Sequence, residues 1–142
     1  MFTYCIEKQK QMIERFNAFA TPEMKYHQLI ALGKNLPSLD PKDRNKENLV
    51  SGCQSIIYLH SALKEGVVHF SAYSEALISA GLAAVLIEVY NGETPETILK
   101  CPPDYLETLG LRASLTPSRA NGLYNIHLRM KQDALKFLMK KQ

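Results

Sequence analysis

Ile56-Ile57-Tyr58-Leu59-His60-Ser61-Ala62-Leu63-Lys64-Glu65-Gly66-Val67-Val68-His69-Phe70 is the stretch whose reading decides the fold. Its residues are β-branched, aromatic or alternating, and Lys64-Glu65-Gly66 suits a short hairpin connection between them. Residues 56–63 and 67–70 are therefore expected to pair antiparallel, with Leu49-Val50 as a third strand. The period then changes. Leu77, Ile78, Leu82, Val85, Leu86 and Val89 form a helix that is apolar over most of its girth and ends at Asn91-Gly92, which predicts the central core element.

Working outward, three Thr-Pro pairs punctuate the chain at Thr21-Pro22, Thr94-Pro95 and Thr116-Pro117. Each places a capping hydroxyl before a proline suited to the first helical position, so each predicts a helix start. Before the first pair, Met12, Ile13, Phe16, Phe19 and Ala20 recur at helical spacing and predict a helix over about residues 4–20. The second helix carries Tyr26, Leu29 and Ile30 on one face and stops at Gly33. Residues 34–48, with Pro37 and Pro41, lack a period and read as a loop. Two short helical pieces, 95–99 and 104–109, flank Cys101-Pro102-Pro103. Near the C-terminal end Asn121-Gly122 alone suggests a tight turn, but Leu123, Ile126, Met130, Ala134 and Phe137 continue a helical stripe, and the longer pattern prevails. Strands flanked by unequal groups of helices give an α+β class with a small antiparallel sheet, in one domain spanning residues 1–142.

A chain of 142 residues is long enough to bury about 70 per cent of its unfolded surface without a disulfide or metal staple. Cys5, Cys53 and Cys101 form no metal-finger spacing and no even disulfide framework, so no metal site is expected and the thiols are expected to be reduced and cytoplasmic. The opening residues lead at once into a Lys/Glu/Gln-rich segment, and the most apolar run, residues 76–89, is too short for a bilayer and contains Glu88, so neither export nor membrane insertion is implied. The net charge of +3 conceals an asymmetry. Through Leu111 there are ten basic against thirteen acidic residues, whereas from Arg112 onward seven basic residues face only Asp133. Arg129, Lys131, Lys136, Lys140 and Lys141 follow a helical pattern and crowd its end, where cations complement the helix dipole, so the segment reads as a solvated helix end and not a nucleic-acid surface.

The chemistry concentrates in Val50-Ser51-Gly52-Cys53-Gln54-Ser55. Free cysteine is normally buried as a small hydrophobe, so a cysteine among glycine and small polar residues reads as a presented thiol. Gly52 permits a sharp turn, and Gln54 and Ser55 are candidate donors to a sulfur anion. On spacing alone, a polar hairpin with an incidental cysteine fits the pattern equally well. His27, His60, His69 and His127 fall in three separate elements, His60 and His69 being candidate cross-strand neighbours. No phosphate loop, nucleophile elbow or zinc-protease motif occurs, which leaves a self-contained enzyme weakly supported. Arg119 stands in the first turn of the last helix, where a cation is unfavourable, and it therefore asks for an anionic partner within the fold or on another protein.

Gly52-Cys53-Gln54-Ser55 followed by an apolar strand, the Leu36-Pro37 element after Leu32-Gly33, and Leu115-Thr116-Pro117-Ser118-Arg119-Ala120-Asn121-Gly122-Leu123 together resemble the SufE/CsdE family of sulfur acceptors, in family order from about Pro22 to Ile126. The resemblance implies an α+β domain of about three strands with helices packed largely on one side, similar to the IscU-type scaffold fold. It also implies that Cys53 accepts persulfide sulfur from a cysteine desulfurase of the SufS/CsdA kind, stimulates it and passes the sulfur to an Fe-S cluster scaffold. The chain itself would hold no cofactor, the pyridoxal phosphate belonging to the desulfurase. Gly52, Gln54 and Ser55 would support the loop, and Arg119 would dock the desulfurase or brace that loop. After the third strand, relatives commonly carry Gly-Asp-Ser-Asp, whereas this chain has Ala72-Tyr73-Ser74-Glu75, a departure that bears on loop packing and partner choice; the aromatic usual in the strand after the cysteine corresponds to Tyr58. The competing class is an interaction or regulatory module with a redox-sensing cysteine and no sulfur cargo.

Overall fold

The computed structural model describes residues 2–140, so the expectation for Lys141 lies outside the described residues. Among the described residues six α-helices accompany a two-stranded antiparallel sheet: α1 (Thr3–Asn17), α2 (Pro22–Gly33), β1 (Tyr58–Lys64), β2 (Val67–Tyr73), α3 (Leu77–Tyr90), α4 (Pro95–Lys100), α5 (Tyr105–Thr108) and α6 (Pro117–Lys140). The class is α+β, as the hydrophobic periods imply. Each Thr-Pro pair opens a helix, and the local chemistry is visible in each case. Thr21 accepts from the Met24 N–H at 3.1 Å, Thr94 from the Thr97 N–H at 3.2 Å and Thr116 from the Arg119 N–H at 3.3 Å. α1 ends three residues before the expected boundary, and on α2 the buried residues are Leu29 and Leu32 while Tyr26 is exposed. α6 runs through Asn121-Gly122 without a turn, its apolar stripe outweighing the local hairpin signal.

The sheet differs in one respect from the three expected strands. β1 and β2 pair from Tyr58↔Tyr73 to Lys64↔Val67, joined by Glu65 and Gly66 at φ of 53° and 82°, as a type I′ turn requires. Leu49 contributes only an isolated antiparallel bridge to Tyr58, together with a hydrogen bond from the Val50 N–H to the Ile57 carbonyl at 2.9 Å. The chain leaves the sheet plane straight afterwards to make the cysteine turn, so no longer ladder forms. The far side of β2 is occupied by irregular backbone. The N–H of Val68 donates to the Glu93 carbonyl (2.9 Å), that of Phe70 to Asn91 Oδ1 (2.8 Å) and that of Ala72 to the Pro37 carbonyl (3.4 Å).

α3 is the centre of the fold. Every residue from Ile78 to Ile87 is buried, as are Val89 and Tyr90; the expected first core position, Leu77, is exposed at the helix start. A helix without a polar face must be covered on all sides, and α2, α6, α1 and β2 all pack against it. α2 approaches closest because Gly81 has no side chain: a Cβ there would collide with the Leu29 carbonyl. Two large phenols in this core satisfy their hydroxyls, Tyr90 donating to the Cys101 carbonyl at 2.9 Å and Tyr105 to the Val85 carbonyl at 3.0 Å.

Leu82 and Leu86 are almost wholly enclosed. Truncating either to alanine is expected to cost about 2–5 kcal/mol through lost burial and a residual cavity, read as a lower denaturant midpoint; an unchanged midpoint in both variants would contradict the central placement of α3.

His127 of α6 is buried against the Tyr90 ring, and its Nε2 has no hydrogen-bond partner among the described residues. Burial, with the Lys131 charge second, pushes its pKa down to about 4. The folded protein thus binds fewer protons than the unfolded chain between that value and the ordinary histidine pKa of about 6.5. The neutral imidazole is tolerated above about pH 6.5, and stability should fall as pH drops from there toward 4, by on the order of 3 kcal/mol from this residue. His127→Leu should flatten that part of the stability profile, measured by denaturant titration at a series of pH values.

Candidate functional site

The residues following Leu49 leave the sheet, cross over the first turns of α6 and return at Ile57, carrying Cys53 at the crossing. Two side chains of α6 anchor the root of this loop. Arg129 donates through Nη1 to the Leu49 carbonyl (3.0 Å) and through Nη2 to the Glu47 carbonyl (2.5 Å). Its Nε pairs with Asp133 Oδ1 at 3.1 Å, and Asp133 Oδ2 in turn accepts from the Ser61 hydroxyl of β1 at 2.7 Å. One nearly buried carboxylate therefore ties the arginine, α6 and the sheet together, and the arginine holds the incoming limb of the loop.

Closer to the thiol, Gly52 has φ of +79°, a conformation that side-chain-bearing residues rarely adopt. A Cβ there would also lie 2.6 Å from Asn125 Nδ2. Asn125 donates to the Gly52 carbonyl at 2.6 Å, and on the other flank the Thr116 hydroxyl donates to Gln54 Oε1 at 3.3 Å. Between these two bonds Cys53 is half-buried against the apolar core. A Cβ on Gly122 would stand 4.0 Å from Cys53 Sγ and 3.8 Å from Leu82 Cδ1, so the bare glycine marks where the sulfur approaches α6. Cys5 and Cys101 are buried beside each other, with the Gln9 amide 4.0 and 3.6 Å from their sulfurs.

The loop residues expected to assist the sulfur are placed otherwise. Gln54 directs its amide oxygen to Thr116, and among the described residues no side chain or backbone N–H donates a hydrogen bond to Cys53 Sγ. Ser55 lines a cavity of about 460 Å³ with Ile56, Tyr58, Tyr73, Glu75 and Ala76. None of the four histidines bonds to Cys53. His60 sits opposite Ser71 and His69 opposite Ala62, so the two are diagonal, not directly paired. Arg119 is half-buried and donates through Nη1 to Ser79 Oγ of α3 at 3.1 Å; it has no carboxylate within ion-pair distance among the described residues. The anionic partner that its helix position asks for is thus not within the described fold.

In the divergent Ala72-Tyr73-Ser74-Glu75 segment, Ser74 has a defined structural part. Its hydroxyl donates to the Ile56 carbonyl at 2.8 Å and accepts from the Ala76 N–H at 3.2 Å, joining the exit of the cysteine loop to the start of α3. Tyr73 lies beneath the Arg44 guanidinium, 3.6 Å from ring centroid to Cζ. Sequence reasoning missed Asn125, Arg129 and Asp133. The available signal was a second helical stripe, Gly122, Asn125, Arg129 and Asp133 at spacings of three, four and four, adjoining the apolar stripe.

Residues 10–134 match the family model SufE, described as an Fe-S metabolism associated domain. An uncharacterized SufE-like protein of Synechocystis is 40% identical over 127 residues, covering 89% of this chain and 80% of the relative. The SufE-like protein 1, chloroplastic/mitochondrial, of Arabidopsis thaliana is 37% identical over 129 residues. The cysteine desulfuration protein SufE of Plasmodium falciparum is 32% identical over 130. These two alignments cover 90% and 87% of this chain but 35% and 52% of the relatives. The solution structure of a hypothetical protein from Thermus thermophilus superposes with a TM-score of 0.77 at 28% identity, over 93% of this chain and 96% of that one. No helix among the described residues is long and apolar enough to cross a membrane.

Burial raises the Cys53 pKa above its ordinary value. The rate of Cys53 alkylation by iodoacetamide, followed by peptide mass analysis, should therefore rise with pH through a midpoint above the roughly 8.5 of a free cysteine. A midpoint at or below that value would show a thiolate stabilised at rest.

Proposed function

This chain belongs to the SufE family, and from that premise we propose that it is a sulfur carrier in Fe-S metabolism whose Cys53 takes sulfur from a cysteine desulfurase. The single observation that carries the assignment to this residue is the contrast among the three thiols: Cys5 and Cys101 are enclosed in the core, while Cys53 alone lies on an irregular turn at the surface. In the proposed step the Cys53 thiolate attacks the outer sulfur of a persulfide on the desulfurase. A new S–S bond forms at Cys53, the bond within the donor persulfide breaks, and the donor cysteine leaves as a thiolate. Attack by an acceptor thiolate on the outer sulfur of Cys53-SSH then regenerates the Cys53 thiolate and delivers the sulfur to an Fe-S scaffold. Pyridoxal phosphate and its chemistry belong to the desulfurase, and a cytoplasmic setting is part of the same reading.

The sheltered, protonated thiol suits this role. A carrier that meets peroxide or free thiols before its partner loses its cargo, whereas a thiol that ionises only when the loop lifts reacts where the partner supplies the opening. Ile56, 64% exposed, follows the turn directly and supplies apolar surface for such a partner. Arg119, lacking a carboxylate among the described residues and braced by Ser79, is proposed to dock the desulfurase or support the loop. It does not act in the sulfur chemistry, since a guanidinium is no nucleophile.

Intact-mass analysis after incubation with a cysteine desulfurase and cysteine should show one added sulfur atom on the wild type and none on Cys53→Ser, which should also fail to stimulate the desulfurase while folding normally. Arg119→Ala should weaken stimulation with Cys53 still open to small alkylating reagents. Arg119→Lys should restore it in part, keeping the charge but not the planar fork. Sulfenate formation with peroxide and no sulfur gain from the desulfurase would favour the redox-sensing alternative.

A further inference from the structure

The cysteine turn is held against α6 by two hydrogen bonds of unequal quality. The Thr116–Gln54 bond joins two exposed side chains at 3.3 Å, and the same hydroxyl oxygen already caps α6. The Asn125–Gly52 bond is shorter, at 2.6 Å, and grips the main chain of the residue next to the nucleophile. Gly52 is shaped to it on two counts. Its positive φ of 79° accompanies a carbonyl directed at α6, and any Cβ at that position would strike the Asn125 amide. Beneath the turn, Sγ lies over Gly122 of α6, 4.0 Å from where a Cβ on that residue would stand. The root of the loop is fixed separately by Arg129 at Glu47 and Leu49. Lifting Cys53 off Gly122 therefore means pivoting about a held root and breaking the Asn125 bond.

We propose that Asn125 is a positioning residue, a latch that keeps Cys53 seated against Gly122 and sets how often its sulfur is presented to an electrophile. The inference rests on Cys53 being the reacting thiol of the proposed function. An amide suits the task. Its N–H donates to a carbonyl without carrying charge, so release leaves no buried ion behind, and one hydrogen bond exchanged for water is a small barrier that a docking partner can repay. The remaining fold need not open, because the motion is confined to a segment with few enclosed groups of its own.

The test is the second-order rate of iodoacetamide alkylation at each cysteine of the folded full chain, resolved by peptide mass analysis. Asn125→Ala removes the donor, and Asn125→Asp replaces it with a carboxylate that repels the Gly52 carbonyl. Both should accelerate Cys53 alkylation about three- to tenfold, the factor expected for loss of one net hydrogen bond. Asn125→Ala, which adds no charge beside the thiol, should also move the pH midpoint of the reaction down toward that of an ordinary cysteine, and in both variants Cys5 and Cys101 should remain unlabelled. Gln132→Ala, which borders the same shallow hollow beside Ser51 and Gly52, should match the wild type. Cys53 rates within twofold of wild type in both Asn125 variants would overturn the latch. So would equal acceleration at all three cysteines, which reports a loosened fold. Alkylation involves no partner protein, so a chain that takes no sulfur in the mass assay overturns the proposed function while the alkylation rates still decide the latch.

Discussion

The structure depends on the enclosure of α3. A fourteen-residue helix buried from Ile78 onward over nearly its whole length offers no face to water except at Glu88 and its first residue, so its neighbours are arranged to cover it. The close approach of α2 over Gly81 covers one side, and α6, α1 and β2 cover the others. Because α6 must lie along α3, its first turns come to rest beside Ser79 and Leu82. The same enclosure that excludes water from the core thus brings Arg119 to Ser79 and creates the seat over which the cysteine turn passes. The candidate site is a by-product of core packing, built where two helices meet under a loop.

Much of this was legible in the sequence because the determinants are local. A threonine hydroxyl capping the third residue beyond it needs no tertiary information, and all three Thr-Pro starts appear where the pattern places them. The girth of α3 is likewise a one-dimensional property. Cys53 stood out for a similar reason, its neighbours being poor company for a buried thiol. What stayed hidden depends on partners distant in the chain. Nothing near Asn125 announces that it will meet Gly52, seventy-three residues earlier, and the Arg129–Asp133 pair looks like an ordinary helix-surface ion pair until Ser61 and the Glu47 and Leu49 carbonyls are brought to it. The shortfall in the third strand has a local origin that pattern reading does not weigh: the backbone must leave the sheet at Ser51 to form the turn, and two apolar residues cannot extend a ladder past that departure.

The site also separates readiness from exposure. Reactive cysteines in many settings sit near positive charge or clustered N–H donors that lower the pKa. Cys53 has neither within hydrogen-bonding reach among the described residues, and burial moves it the opposite way. If Cys53 is the carrier thiol proposed above, its reactivity is governed by the position of the loop more than by a fixed electrostatic environment. The two anchors divide this labour, Arg129 holding the root while the tip is held by neutral amide and hydroxyl contacts.

The hydrogen bonds along the outer side of β2 bear on how this protein can be engaged. A two-stranded sheet ordinarily offers open edges on which a foreign strand can zip, either as a means of recognition or as a route to aggregation. Here the outward N–H groups of Val68, Phe70 and Ala72 are already taken by Glu93, Asn91 and Pro37. Strand addition on that side is blocked by the chain's own loops. Along the β2 edge, neighbouring molecules are left to read the protein through side-chain chemistry instead of the sequence-blind adhesion of main chain to main chain, a form of selectivity in place before any partner arrives.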